Sequence, residues 1–170
     1  MIVDVQQGMF SLPSPPHRGE EVVRRIAGLL DRARAEGVPV VHIQHDSGPG
    51  DVLAKGSPGW PHHPMVAPRA GEMVVEKRHS SAFHDTDLHR RLSEAGIDRL
   101  VVAGMQTEMC VDSACRGAVA LDYRVVLVAD AHTTYDTPVL GADLIIAHHN
   151  RLLGDGFVEL VEAEQVRFQE

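Results

Sequence analysis

Short β-branched runs alternate along the chain with stretches whose apolar residues recur at helical spacing. This is the pattern of an α/β fold built on a parallel sheet. The first run, Ile2-Val3-Asp4-Val5, begins almost at the first residue, and for a central strand that predicts a few residues ahead of Met1. A helix is predicted over residues 20–36, where Val22, Val23, Ile26, Leu29, Leu30 and Ala33 form one apolar stripe and Gly37 supplies the stop. A second strand is predicted over 38–43. A long Gly- and Pro-rich loop follows over 45–70, and loops of that length inside a compact domain are functional or disordered. Further strands are predicted over 73–77, 100–104, 124–129 and 157–161. Helices are predicted over 87–95, stopped by Gly96, and over 108–121. The last helix begins with Thr137 as N-cap and Pro138 at the first helical position, and runs to 153. The expected fold class is α/β, a three-layer α/β/α domain over residues 1–170 with a doubly wound parallel sheet of five or six strands. Ligands in such sheets bind beyond the carboxyl ends of the strands, where the strand order reverses.

Composition narrows the partners. The chain has 170 residues and a formal net charge of -8, which argues against nucleic acid, whose phosphates call for a basic face, and against an anionic membrane surface. A membrane helix needs about 20 consecutive apolar residues, and the longest runs here are four or five, as in residues 125–129. No basic segment followed by an apolar one opens the sequence, so no secretory signal is read. Cys110 and Cys115 lie five apart on one predicted helix, roughly 8 to 9 Å between Cα atoms, too far for a disulfide. Two free thiols place the protein in a reducing, cytoplasmic compartment. The last predicted helix is apolar on several faces and is expected to be buried, in this domain or against another subunit, which makes a homo-oligomer, a dimer or tetramer, the expectation.

Three residues stand out chemically. Cys110 falls just inside a predicted helix, where free backbone N–H groups and the helix dipole would lower a thiol pKa and could hold a developing oxyanion. A free cysteine is more often a small buried hydrophobe, and position alone leaves that reading open. Asp4 lies two residues into an apolar strand, where a carboxylate is costly unless paired; a capping or salt-bridged strand end is the plainer account. Lys77 ends the third strand, as a partnered lysine or as a solvent-exposed end. All three end or follow strands of one parallel sheet, which puts them on one rim. Together they supply a nucleophile, a cation to stabilise it, and a proton shuttle. Phe10, Trp60 and Phe83 are candidates for an apolar pocket wall, with core packing the alternative for both phenylalanines and a subunit contact for Trp60.

The blocks Asp4-Val5-Gln6 with Phe10, Glu76-Lys77-Arg78-His79-Ser80-Ser81-Ala82-Phe83, and Gly104-Met105-Gln106-Thr107-Glu108-Met109-Cys110-Val111 together resemble the three motif blocks of the isochorismatase-like cysteine hydrolases, a superfamily that includes nicotinamidases and related amidases. The resemblance implies an Asp4–Lys77–Cys110 triad and a non-proline cis peptide at Met105–Gln106. It also implies an oxyanion hole made by the backbone N–H groups of Gln106 and Cys110. The implied reaction is hydrolysis of a small amide through a thioester. The metal site of nicotinamidases is built from an Asp and several His after the second strand. The order of His42, His45, Asp46, His62 and His63 does not match it, so no metal and no cofactor is expected, and the resemblance is to metal-free members. A catalytically silent small-molecule binding module on the same fold is the competing reading, although neither G-x-G-x-x-G nor a P-loop motif occurs.

Overall fold

The computed structural model describes residues 1–168. Six strands form one sheet in the order β3-β2-β1-β4-β5-β6, and every neighbouring pair is parallel. The strands are β1 (Ile2–Val3), β2 (Val41–His45), β3 (Met73–Lys77), β4 (Arg99–Met105), β5 (Arg124–Thr133) and β6 (Glu159–Val161). The helices are α1 (Gln7–Phe10), α2 (Gly19–Ala35), α3 (Leu88–Glu94), α4 (Asp112–Ala120) and α5 (Ala142–Gly154). The chain runs outward from β1 to β3 on one side, then returns to β4 and runs outward again. The order therefore reverses between β1 and β4, where the expected ligand crevice lies.

Strand alternation feeds two apolar layers. Leu100 and Val102 point to one face and pack with Leu88, Leu92, Ala114, Cys115, Ala118 and Leu153. Ala103 and Met105 point to the other face, against Val22, Val23, Ile26, Leu29 and Leu30 of α2. The α2 stripe read from the sequence is thus the buried face of that helix. Among the described residues, no helix is long and apolar enough to cross a membrane.

Four local expectations are corrected. Residues 38–40 do not join β2, which starts at Val41 after Pro39. The last helix starts at Ala142, not at Pro138. The Thr137 hydroxyl accepts the N–H of Leu140 at 2.9 Å and closes a turn there, while Asp136 Oδ1 accepts the N–H of Ala142 at 2.8 Å. Residues 107–111 form a π-turn before α4 instead of the first turn of an α-helix. The last helix is also only half-buried. Ala142, Ile145 and Leu153 face the core, while Val139, Leu140, Leu144 and Leu152 are exposed.

A buried polar cluster ties α2 to the sheet beneath it. The Arg34 guanidinium grips Glu72 at 2.7 Å, and His42 Nε2 lies 3.0 Å from the other Glu72 oxygen. Arg34 holds the Glu72 carboxyl down to about 2, and burial holds His42 down to about 4. Both shifts act on the acid side. The unfolded chain protonates His42 first, so stability falls from about pH 6.5 towards 4. The Glu72 contribution, complete above its ordinary range, is lost as pH falls from about 4.5 through 2. Acid titration of the unfolding free energy is expected to show this decline. Glu72→Gln is expected to flatten the limb below pH 4.5 and to lower stability at pH 7. Parallel curves for the two proteins would disprove this assignment.

Candidate active site

Asp4 follows directly on the two-residue strand β1 and adopts a left-handed backbone, φ 50°. Aspartate tolerates that region better than most residues. Its side chain is almost wholly buried. Two strands away, Lys77 ends β3, and its side chain crosses beneath β2 to reach the same point. Lys77 Nζ lies 2.7 Å from Asp4 Oδ2 as an ion pair and 3.2 Å from Cys110 Sγ. It also lies 3.1 Å from His45 Nδ1 and donates to the His79 carbonyl at 3.0 Å. The strand separation of about 10 Å is spanned by the length of one lysine side chain.

The Asp4 carboxylate meets Lys77 at ion-pair distance, and a hydrogen bond with the Cys110 thiol is among the causes that raise the thiol's pKa. Asp4, His45 and Cys110 bring their donor atoms within 4.8 Å of one another. The carboxylate is therefore placed to accept a proton from the thiol beside it.

The thiol departs from the sequence expectation. A helix N-terminus would lower its pKa. Here burial pushes Cys110 up to about 12, with the negative field of Asp4 adding to it, and Lys77 opposes both without prevailing. The resting Cys110 therefore favours the protonated thiol, with the Asp4 carboxylate and the His45 ring both within 4.8 Å of it as bases. Cys110 and Cys115 are both free, and Cys115 is packed in the core.

Cys110 is carried by the π-turn Thr107–Val111. Such turns replace the usual hydrogen-bond spacing with a wider one and recur at functional sites. The Val111 N–H reaches back to the Gln106 carbonyl at 3.1 Å. The Met105–Gln106 peptide is cis, and the Gln106 N–H has no acceptor among the described residues. A buried chain braces the turn from behind. Burial holds His132 in its neutral form. Its Nε2–H then donates to Asn150 Oδ1 at 2.8 Å, and its Nδ1 accepts the Thr107 hydroxyl at 2.9 Å.

Two residues at the site carried no role in the sequence reading. His45 accepts from Lys77, and burial followed by the Lys77 charge keeps its pKa down. Gln6 is fully buried and locks the end of β2 to the long loop. Its Nε2 donates to the carbonyls of His45 and Trp60, and its Oε1 accepts the His45 N–H. Nothing in local pattern marks either side chain's role, because their partners lie 32 or more residues away.

The three pocket candidates separate. Trp60 sits in the long loop beside the site, with Lys55 over its ring and Lys55 paired to Glu76. Phe10 lies 4.8 Å from the His63 ring in a cleft between α1 and that loop. Phe83 stacks on Tyr123 at 5.9 Å, with Gly117 of α4 against its edge. A cavity of about 300 Å³ opens on Lys77 and is lined also by Asp46, Glu76, His79 and Asp85.

The residues after β2 do not fit a nicotinamidase-type metal. Asp46 Oδ1 accepts the N–H groups of Gly48 and Lys55, its Oδ2 accepts from Arg78, and His45 Nδ1 faces an ammonium.

The family model of the isochorismatase domain matches residues 1–140. A streptothricin hydrolase of Streptomyces noursei is 44% identical over 138 residues, which cover 81% of this chain and 50% of that protein. The chain thus spans about half the length of that relative. A maleamate amidohydrolase of Pseudomonas putida is 31% identical, covering 76% of this chain and 69% of its own. Among solved structures, an isochorismatase from Pseudomonas putida superposes with a TM-score of 0.92 at 31% identity, over 98% of this chain and 88% of that one.

Proposed function

Because the chain belongs to the isochorismatase family of enzymes, we propose that it is a cysteine amidohydrolase in which Cys110, Asp4 and Lys77 cleave the C–N bond of a small amide. The observation that carries this reading is the single ammonium of Lys77, held between a carboxylate at 2.7 Å and a thiol at 3.2 Å.

The chemistry follows from those distances. Asp4 accepts the thiol proton as Cys110 Sγ attacks the amide carbon. Lys77 stabilises the thiolate as it forms. The carbonyl oxygen becomes an oxyanion, held by the backbone N–H groups of Gln106 and Cys110. Asp4 returns the proton to the departing nitrogen, which leaves as ammonia or an amine, and a thioester remains on Cys110. Asp4 then takes a proton from water, hydroxide adds to the thioester, and the acid departs as the thiol is restored. His45 and the His79 carbonyl hold Lys77 in place. Lys55, Asp46 and Glu76 line the cavity that opens on Lys77, and Lys55 lies over the Trp60 ring. No metal or cofactor enters this scheme. The relatives named for streptothricin and maleamate make those two amides the first substrates to try.

The test is rapid acid quenching during turnover, followed by peptide mass spectrometry. An acyl adduct on the Cys110 peptide that disappears when substrate is exhausted supports the reading. Hydrolysis with no adduct at any quench time, in a protein whose turnover survives Cys110→Ala, overturns it.

The exposed residues Val139, Leu140 and Leu144 further support a homo-oligomer in which a second copy covers this face, and the two free thiols support a reducing, cytoplasmic setting. Light scattering is expected to give a mass of two or four chains. A single-chain mass at micromolar concentration would refute the assembly.

A further inference from the structure

A second cluster lies on the loop after β3, outside the triad. His79 Nε2 lies 3.4 Å and His84 Nε2 3.7 Å from the same oxygen of Asp85, and all three donor atoms lie within 4.8 Å of one another. None of these contacts has hydrogen-bond geometry, so the donors converge without bonding to one another. Zinc binds nitrogen and carboxylate oxygen at about 2.0 to 2.2 Å in a tetrahedron, which places neighbouring donors about 3.4 Å apart. The two histidine–aspartate separations, 3.4 and 3.7 Å, are close to that edge, and the two histidine nitrogens lie within 4.8 Å of each other. The donor set, two imidazoles and one carboxylate, suits a borderline divalent ion such as zinc, cobalt or nickel.

We propose that His79, His84 and Asp85 form a divalent transition-metal site of zinc type at the rim of the cavity that opens on Lys77. His79 and Asp85 line that cavity, so the coordination positions the protein leaves open face it and take water or an oxygen of a bound molecule. The two rings are stacked, with centroids 3.9 Å apart and planes 14° apart. Binding therefore requires one ring to turn until both lone pairs meet the ion. His84 is free to do so, because its side chain is 58% exposed and its ring makes no hydrogen bond among the described residues. The site also reaches the chemistry, because the carbonyl of His79 accepts from Lys77. A metal on the His79 ring fixes the loop that holds the ammonium. The site goes beyond the amidohydrolase reading and does not depend on it.

The experiment is calorimetric titration of Zn²⁺ into the full-length Cys110→Ser protein, backed by the visible absorption of bound Co²⁺. This background lacks the thiol, so binding is separated from amide turnover and from the Asp4–His45–Cys110 cluster. One ion per chain is expected. His84→Ala and Asp85→Asn are each expected to weaken binding about tenfold or more, while His45→Ala leaves it unchanged. Asparagine tolerates the left-handed backbone of Asp85, φ 53°, so that variant keeps the loop. Absence of binding overturns the proposal. So does binding that survives His84→Ala and Asp85→Asn, or that is lost with His45→Ala, which places the ion at the triad instead.

Discussion

Asp4→Asn is expected to slow amide hydrolysis by about 10²- to 10⁴-fold, the usual contribution of a general acid–base group, and at the same time to speed alkylation of Cys110. The two effects have opposite signs for one reason. The negative charge of Asp4 is the second cause, after burial, of the high thiol pKa, and Lys77 pulls the other way. Removing the carboxylate leaves the ammonium 3.2 Å from sulfur with no anion competing for it, so more thiolate exists at neutral pH. The same change removes the base and the proton donor for the leaving nitrogen. Lys77→Met is expected to lower both turnover and labelling. In the unmodified protein, iodoacetamide labelling of Cys110 is expected to be slower than that of a free thiol at pH 8, and to climb about tenfold per pH unit towards 12. Peptide mass spectrometry reads Cys110 directly, with buried Cys115 as the control. Faster turnover, or unchanged labelling, in Asp4→Asn would remove Asp4 from its assigned role. Asparagine is nearly isosteric with aspartate, and circular dichroism separates loss of fold from loss of chemistry.

Gly104→Ala is expected to destabilise the domain by about 4 kcal/mol or more, combining a forbidden backbone angle with a steric clash. Gly104 has φ 133°, which a side chain rarely allows. It pairs with Val3 across the β1–β4 junction, and a Cβ there would collide with the Val3 backbone. That junction is where the strand order reverses, one residue from Asp4 on one side and two from Gln106 on the other. The close approach lets β1 and β4 sit near enough for Asp4 to face Cys110. For a domain of this size the expected shift in melting temperature is about 8 to 16 °C, with loss of activity at temperatures where the variant is still folded. A melting temperature within about 3 °C of the unmodified protein would show that the junction relaxes more easily than its geometry implies.

Local pattern set the alternation of strands and helices, the sheet class, the α2 stripe and the bounds of β3. These depend on periodicity over a few residues, which burial of one face enforces directly. It also placed Asp4, Lys77 and Cys110 at one rim, because parallel strands all end on the same side. Where local signals competed, it misled. Thr137-Pro138 looks like a helix start, but Asp136 caps the helix four residues later and Thr137 closes a turn. The tertiary structure alone decided that Lys77 spans β2, that His45 and Gln6 support it, and that the Cys110 thiol is raised and not lowered. It also brought His79, His84 and Asp85 together at the site's rim. A pKa sums burial and charge over every atom nearby, whatever its place in the chain. A helix terminus can be read from sequence, but its dipole is a small effect beside the desolvation of a buried thiol next to a carboxylate.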